Sequence, residues 1–166
     1  MADITQLILD DHDAFRRRFA ELDDLRDQPQ DAAAVFAGLA AFLEVHASAE
    51  EVVFYPALLK HGEDAEEETE DAVGDHDDIR DGVRRAAAAE PGSQEWWQAV
   101  DDTRAANTEH MSEEEDEALA DFRRNTSLDV RHELGLTFTT YKEDHPGAQG
   151  LSGEAKGAEA YLEEHT

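Results

Sequence analysis

No cysteine occurs among the 166 residues of this chain. Its absence removes disulfides, thiolate metal sites, iron–sulfur ligation, CxxC redox chemistry and cysteine nucleophiles together, so any metal must be held by histidine and carboxylate. Basic residues are scarce: eleven Arg and three Lys (Lys60, Lys142 and Lys156) stand against twenty Asp and twenty-two Glu, for a formal charge of −28. Such a surface repels nucleic acid and anionic membranes, and neither is expected as a partner. Long apolar runs are missing too, since no stretch reaches the roughly 18 consecutive apolar residues that span a bilayer. The start MADITQLILDDHD has neither the basic n-region nor the small-residue cleavage site of a signal peptide. The expectation is a soluble, cytoplasmic protein whose length suits one domain with a core of its own. The acids run along the whole chain rather than forming a tail, a balance that resembles proteins of salt-accumulating halophiles. Near molar salt the Debye length falls to about 3 Å and relieves the self-repulsion.

What is present is helical periodicity. From Ile4 to Leu25 the positions Ile8, Phe15, Phe19 and Leu22, with His12 counted, recur in threes and fours behind an Asp3/Gln6 capping box. After a DQPQ break a second helix, Asp31 to Gly62, carries the stripe Leu39, Phe42, His46, Glu50, Val53 and should kink or restart at Pro56. A third runs from Asp64 to Ala89 and stops at Glu90-Pro91-Gly92. A fourth, capped by Ser93, turns Trp96 and Val100 inward and ends near Asn125. Four such helices with short connections predict an all-α, up-down-up-down four-helix bundle over residues 1–126. Residues 127–166 read as a C-terminal helical extension packed on that bundle, with a short helix from Leu128 to Tyr141, a Gly-rich break and a terminal helix from Ser152.

The informative residues are polar ones on the apolar stripes. His12 stands between Ile8 and Phe15, and His76 between Ala72 and Ile79. His46 with Glu50, and His110 with Glu114, form i, i+4 pairs on inward faces. A buried carboxylate costs several kcal/mol unless it is paired or bound to a cation. A shift of 64 residues lays Asp11-His12-Asp13 on Asp75-His76-Asp77, Arg16 on Arg80, His46 on His110 and Glu50-Glu51 on Glu114-Glu115. The chain is therefore two copies of one helical hairpin, each offering H…HxxxE. At i, i+4 a helix sets an imidazole and a carboxylate one turn apart on one face. Four imidazoles and two carboxylates are too many for one tetrahedral zinc and too rich in nitrogen for calcium or magnesium. They suit two octahedral-type metals, with His12, His46, Glu50, His76, His110 and Glu114 as ligands and both glutamates bridging. Iron is the first choice, with manganese or zinc as alternatives.

The pattern H…HxxxE…H…HxxxE, with His46-Ala-Ser-Ala-Glu50-Glu51 followed by Phe54-Tyr55-Pro56, resembles the hemerythrin-like family, the HHE cation-binding domain, over about residues 3 to 124. The resemblance implies two non-haem iron ions, oxo- or hydroxo-bridged, in a two-hairpin bundle. Oxygen-carrying members have an HxxxH pair on the third ligand helix; here Arg80 follows His76 by four, and that extra histidine is missing. Carriers also use an acid at i+5 on the last helix, which leaves Glu115 as an alternative to Glu114. The duplicated HxxxE is closer to relatives implicated in iron–sulfur cluster and nitric-oxide metabolism. His61, His132, His145 and His165 read as surface residues, Tyr55 as a core tyrosine or alternatively a redox or hydrogen-bonding group, and Arg16 and Arg80 as neutralising nearby acids. Three function classes follow: a protein that binds O2, NO or iron for sensing, storage or repair; a diiron enzyme acting on peroxide, O2 or NO; and a helical module stapled by structural metal.

Overall fold

The computed structural model describes residues 2–166, which are helical with no strand among them. The helices are α1 (Ile4–Asp23), α2 (Pro29–Ala49), α3 (Tyr55–His61), α4 (Ala65–Ala88), α5 (Gln94–Asp116), α6 (Ala118–Asn125), α7 (Leu128–Asp144) and α8 (Ala158–His165). Asp3 caps α1 by accepting from the Thr5 N–H at 2.9 Å. The expected capping box does not close: the Asp3 carboxylate takes the Thr5 N–H and not that of Gln6, whose side-chain amide donates to Asp10, and α1 ends at Asp23 rather than Leu25. Ser93 caps α5 as its position predicts, accepting from the Trp96 N–H.

The second predicted helix is interrupted for a local reason. Pro56 lacks an N–H, and in a continuous α-helix its ring would strike the carbonyl four residues back. The chain opens instead into a π turn over Glu50–Phe54, where the Tyr55 N–H reaches the Glu50 carbonyl, and α3 restarts there. The fourth predicted helix is also two: at Glu117 the backbone leaves the helical region (φ −113°, ψ −82°), separating α5 from α6. The last helix begins at Ala158, not Ser152, because Gly153 and Gly157 take positive φ that an α-helix cannot continue through.

Helix α4 lies along α5, α1 packs on α2 and α7, and α8 packs on α4. Gly82 permits the α4–α5 approach, since a Cβ there would sit 2.2 Å from Thr103 Oγ1. The α1–α2 and α4–α5 connections lie at one end of the molecule, where Pro29 meets Gly92 and Arg26 and Arg104 pair with Asp101 and Asp23. Two apolar clusters fill the interior. One, toward that end, holds Phe15, Leu22, Phe36, Leu39 and Trp96; the other holds Ile4, Ile8, Phe54, Leu58, Phe122 and Phe138. On α1, α2, α4 and α5 alike a histidine falls at the changeover from one cluster to the other, so the polar layer is sandwiched between two dry ones. The run Pro29–His61 is long and apolar enough to cross a membrane by length and composition. Half of its apolar window is nevertheless buried against the protein, and it carries the buried His46 and Glu50, as a core helix does.

Candidate metal centre

All six residues singled out by the repeat lie in that polar layer, and none is more than 3% exposed. His12 comes from α1, His46 from α2, Glu50 from the start of the π turn, His76 from α4, and His110 and Glu114 from α5. They fall into two groups, His12–His46–Glu50–Glu114 and Glu50–His76–His110, with donor atoms in each within 4.8 Å of one another. Glu50 belongs to both. Its Oε1 lies 2.9 Å from His46 Nε2 and its Oε2 lies 3.2 Å from His76 Nε2. Glu114 Oε2 is 3.3 Å from His12 Nε2 and 3.8 Å from His110 Nε2, and the Nε2 atoms of His76 and His110 are 3.2 Å apart. Two donors at right angles, each about 2.1 Å from a shared ion, would lie about 3.0 Å apart.

Close as they are, and although His46 and Glu50 attract as charges, several of these atoms meet without hydrogen-bond geometry. His12 Nε2, His46 Nε2, Glu50 Oε1 and Glu114 Oε2 are buried without a hydrogen-bond partner. Each buried orphan costs about 1–3 kcal/mol, and native interiors contain few of them. Four in one place, all of them metal-donor atoms, fit a cation and fit little else.

The outward faces of the rings are held differently. His46 Nδ1–H donates to Asp11 Oδ2 at 2.9 Å, His12 Nδ1–H to Glu115 Oε1 at 2.9 Å and His76 Nδ1–H to Glu51 Oε1 at 3.0 Å. Asp75 Oδ2 stands 3.6 Å from His110 Nδ1. A carboxylate behind an imidazole fixes the tautomer, aims the opposite nitrogen and raises its basicity, which is the usual support of a metal-ligating histidine. The pairs obey the 64-residue shift: Asp11 with His46 maps onto Asp75 with His110, and Glu115 with His12 maps onto Glu51 with His76. The arginines follow suit, Arg16 on Glu115 at 2.7 Å and Arg80 on Glu51 at 2.8 Å, the latter also holding Glu44. Glu115 thus lies behind His12, a quarter exposed, while Glu114 points inward. Arg80, which replaces the carriers' extra histidine, is directed at acids and not at the donor cluster.

These contacts set the charges of the metal-free centre. Burial opposes a proton on His46, but the Glu50 carboxylate and the Asp11 hydrogen bond outweigh it and raise its pKa to about 10. Burial likewise opposes charge on His76, and Glu50 and Glu51 lift it to about 9. Glu51 is held down to about 2 against its burial by His76 and Arg80, and Glu50 well below the ordinary carboxylate value against its burial by His46 and His76.

Tyr55, which the sequence left between a core tyrosine and a redox or hydrogen-bonding group, has features of both. Its ring is buried, yet its hydroxyl enters the centre, donating to Glu114 Oε1 at 3.0 Å and lying 3.4 Å from Glu50 Oε2 and 3.5 Å from His76 Nε2. Burial and the Glu114 and Glu50 charges push its pKa up, so the phenol keeps its proton. The π turn adds one residue to the turn and sets Tyr55 on the face of Glu50, which an unbroken helical wheel does not show. The other histidines stay out of the centre: His61 packs beside Phe122, and His145 and His165 donate to the Tyr141 and Tyr161 carbonyls in the C-terminal segment, where His132 also lies.

That segment reaches the supports of the centre. Lys142 pairs with Asp11, Phe138 sets its ring edge-on to His46 at 6.3 Å, and the Tyr161 hydroxyl donates to the Glu51 carbonyl.

The family model described as Hemerythrin HHE cation binding domain matches residues 3–121. No curated protein and no solved structure matches the chain.

Proposed function

Because the chain belongs to the hemerythrin HHE cation-binding family, we propose that it is a non-haem diiron-binding protein that binds O2 or NO through its metals, for sensing, storage or iron-centre repair. The observation that carries this reading is the set of four orphaned, buried donor atoms converging from two repeated hairpins, with His12, His46 and His76 each backed by a carboxylate. His12 and His46 would hold one ion and His76 and His110 the other, with Glu50 and Glu114 shared between them. The reading takes residues 1–126 as an up-down-up-down four-helix bundle carrying the centre, and residues 127–166 as its cover. Ferrous iron with two imidazoles, carboxylate and open positions supplies reversible binding and one-electron chemistry toward O2 and NO.

The chain's own residues prepare the place. Asp11, Glu51 and Glu115 keep the Nδ1 protons and so leave each Nε2 free to face inward. Phe15 and Phe138 pack on His46 and keep water from that side. Tyr55 holds a proton among Glu114, Glu50 and His76, where it can donate to an anionic ligand. That hydroxyl favours a second reading, a diiron enzyme acting on peroxide, O2 or NO, because it is a proton source inside the centre. Anaerobic titration of the ferrous protein with NO, followed optically, tests the first reading: NO should bind stoichiometrically, and air should oxidise the protein within minutes. Sustained turnover of peroxide or NO, reduced in Tyr55→Phe, would move the assignment to the enzyme. A loaded protein inert to NO and O2 would reduce the metals to structural staples.

A further inference from the structure

The repeat breaks on one face. The 64-residue shift carries Ile4, Leu7, Ala49 and Val53 of the first hairpin onto Glu68, Asp71, Glu113 and Glu117 of the second. In the first hairpin these positions pack into the apolar cluster that Phe138 of α7 closes. In the second they line a narrow cleft between α4 and α5–α6, together with Asp75, His110 and Glu114. Glu68, Asp71 and Asp75 fall at i, i+3, i+7 on α4, and His110 and Glu113 of α5 with Glu117 at its C-cap repeat that spacing, so two stripes form the walls. The cleft encloses about 10 Å³, room for a single water-sized occupant.

Acidic crowding alone would be only a solvated face in so acidic a chain. His110 makes it more than that. It is 2% exposed, and its Nδ1 is buried without a partner. The Nδ1 atoms of His12, His46 and His76 each meet a carboxylate at 2.9–3.0 Å, whereas Asp75 stands off at 3.6 Å. Glu68 Oε2 is a second buried orphan in the same cleft. Burial and the charges of Asp121, Asp64 and Glu117 raise the Glu68 pKa to about 7, a repulsion that a cation in the cleft would relieve.

We propose that this acidic cleft is the entry site through which a divalent cation reaches the His76/His110 half of the centre, held in transit by Glu68, Asp71, Asp75, Glu113 and Glu117 and delivered past His110. The proposal rests on the reading that the centre holds metal. On the equivalent face of the His12/His46 half, Ile4, Leu7 and Val53 pack with Phe138 of α7 in one apolar cluster.

The test is the rate at which the metal-free, full-length chain takes up Co(II) chloride, followed by Co(II) absorption in stopped flow at low and high potassium chloride. Asp71→Asn combined with Glu117→Gln removes two exposed mouth charges that lie outside the donor set. It should slow uptake about tenfold at low salt, weaken the salt dependence and leave the final Co(II) content unchanged. Glu159→Gln combined with Glu163→Gln on α8 removes the same charge elsewhere and should leave the rate as it was. Equal rates for the mouth variant and the unmodified chain, or equal slowing by both pairs, would overturn the proposal, the latter because net charge alone would then explain uptake. Failure of the unmodified chain to take up any Co(II) would instead overturn the metal-binding reading on which the proposal rests.

Discussion

A metal entering this centre must displace protons, and the structure names two of the rings that hold them. In the metal-free protein His46 and His76, with pKa values of about 10 and 9, are both imidazolium at pH 7. Each gives its Nδ1–H to a carboxylate, Asp11 or Glu51, and turns its Nε2–H toward Glu50. A metal needs Nε2 and not Nδ1, so loading expels one proton from each ring and leaves the supporting hydrogen bonds intact. Glu50 is already ionised and adds none. Two protons make the overall loading constant rise about 100-fold per pH unit near pH 7, or about 2.7 kcal/mol at 1.36 kcal/mol per proton. The slope should flatten as pH passes about 9 and then about 10. Calorimetric titration of the metal-free chain with Co(II) chloride, repeated in buffers of different ionisation enthalpy, reads the released protons directly. Fewer than two per chain at pH 7 would refute the reasoning, because one imidazole would then be neutral before metal arrives.

Arg80 is 4% exposed and forks onto Glu51 at 2.8 and 3.1 Å; Arg80→Met leaves that buried carboxylate to His76 alone and should cost the metal-free protein about 2–3 kcal/mol in urea unfolding. A loss below about 1 kcal/mol would show the pair to be as weak as a surface one. The metal-free protein should be most stable between about pH 4.5 and 6.5. His46 and His76, raised above their ordinary 6.5, stabilise fully below that value and cease to as pH climbs through about 9 and 10. Glu51, lowered from 4.5 to about 2, stabilises above 4.5 and ceases to as pH falls through 2; thermal melts across pH check both limbs. A net charge of −28 on 8475 Å² of surface predicts that Tm rises from dilute buffer to molar potassium chloride, and a flat response would mean that local ion pairs such as Arg85–Asp102 already compensate the acids.

That these six residues meet in the core was legible in the sequence because burial and chemistry conflict at those positions. A glutamate on an apolar stripe, such as Glu50 between Phe42 and Val53, needs a cation, and the 64-residue repeat supplies its partners. The same repeat contained the supporting carboxylates Asp11, Asp75, Glu51 and Glu115, but spacing along a helix does not reveal that a side chain reaches behind a histidine on a neighbouring one. Tyr55 was only half legible, since its position left it between a core tyrosine and a hydrogen-bonding one. Its orientation depends on a π turn forced by Pro56, and a uniform 3.6-residue wheel puts it on the wrong face. The break at Glu117 carries neither Gly nor Pro, so nothing local announced it.

The central claim is that two metals share Glu50, which stands in both donor groups. Iron and protein should therefore be quantified together after anaerobic ferrous loading and desalting, in the unmodified chain and in Glu50→Ala. The account predicts close to two iron ions per chain in the first and loss of both in the second. One ion per chain in the unmodified protein, or one retained at full occupancy without Glu50, would contradict it.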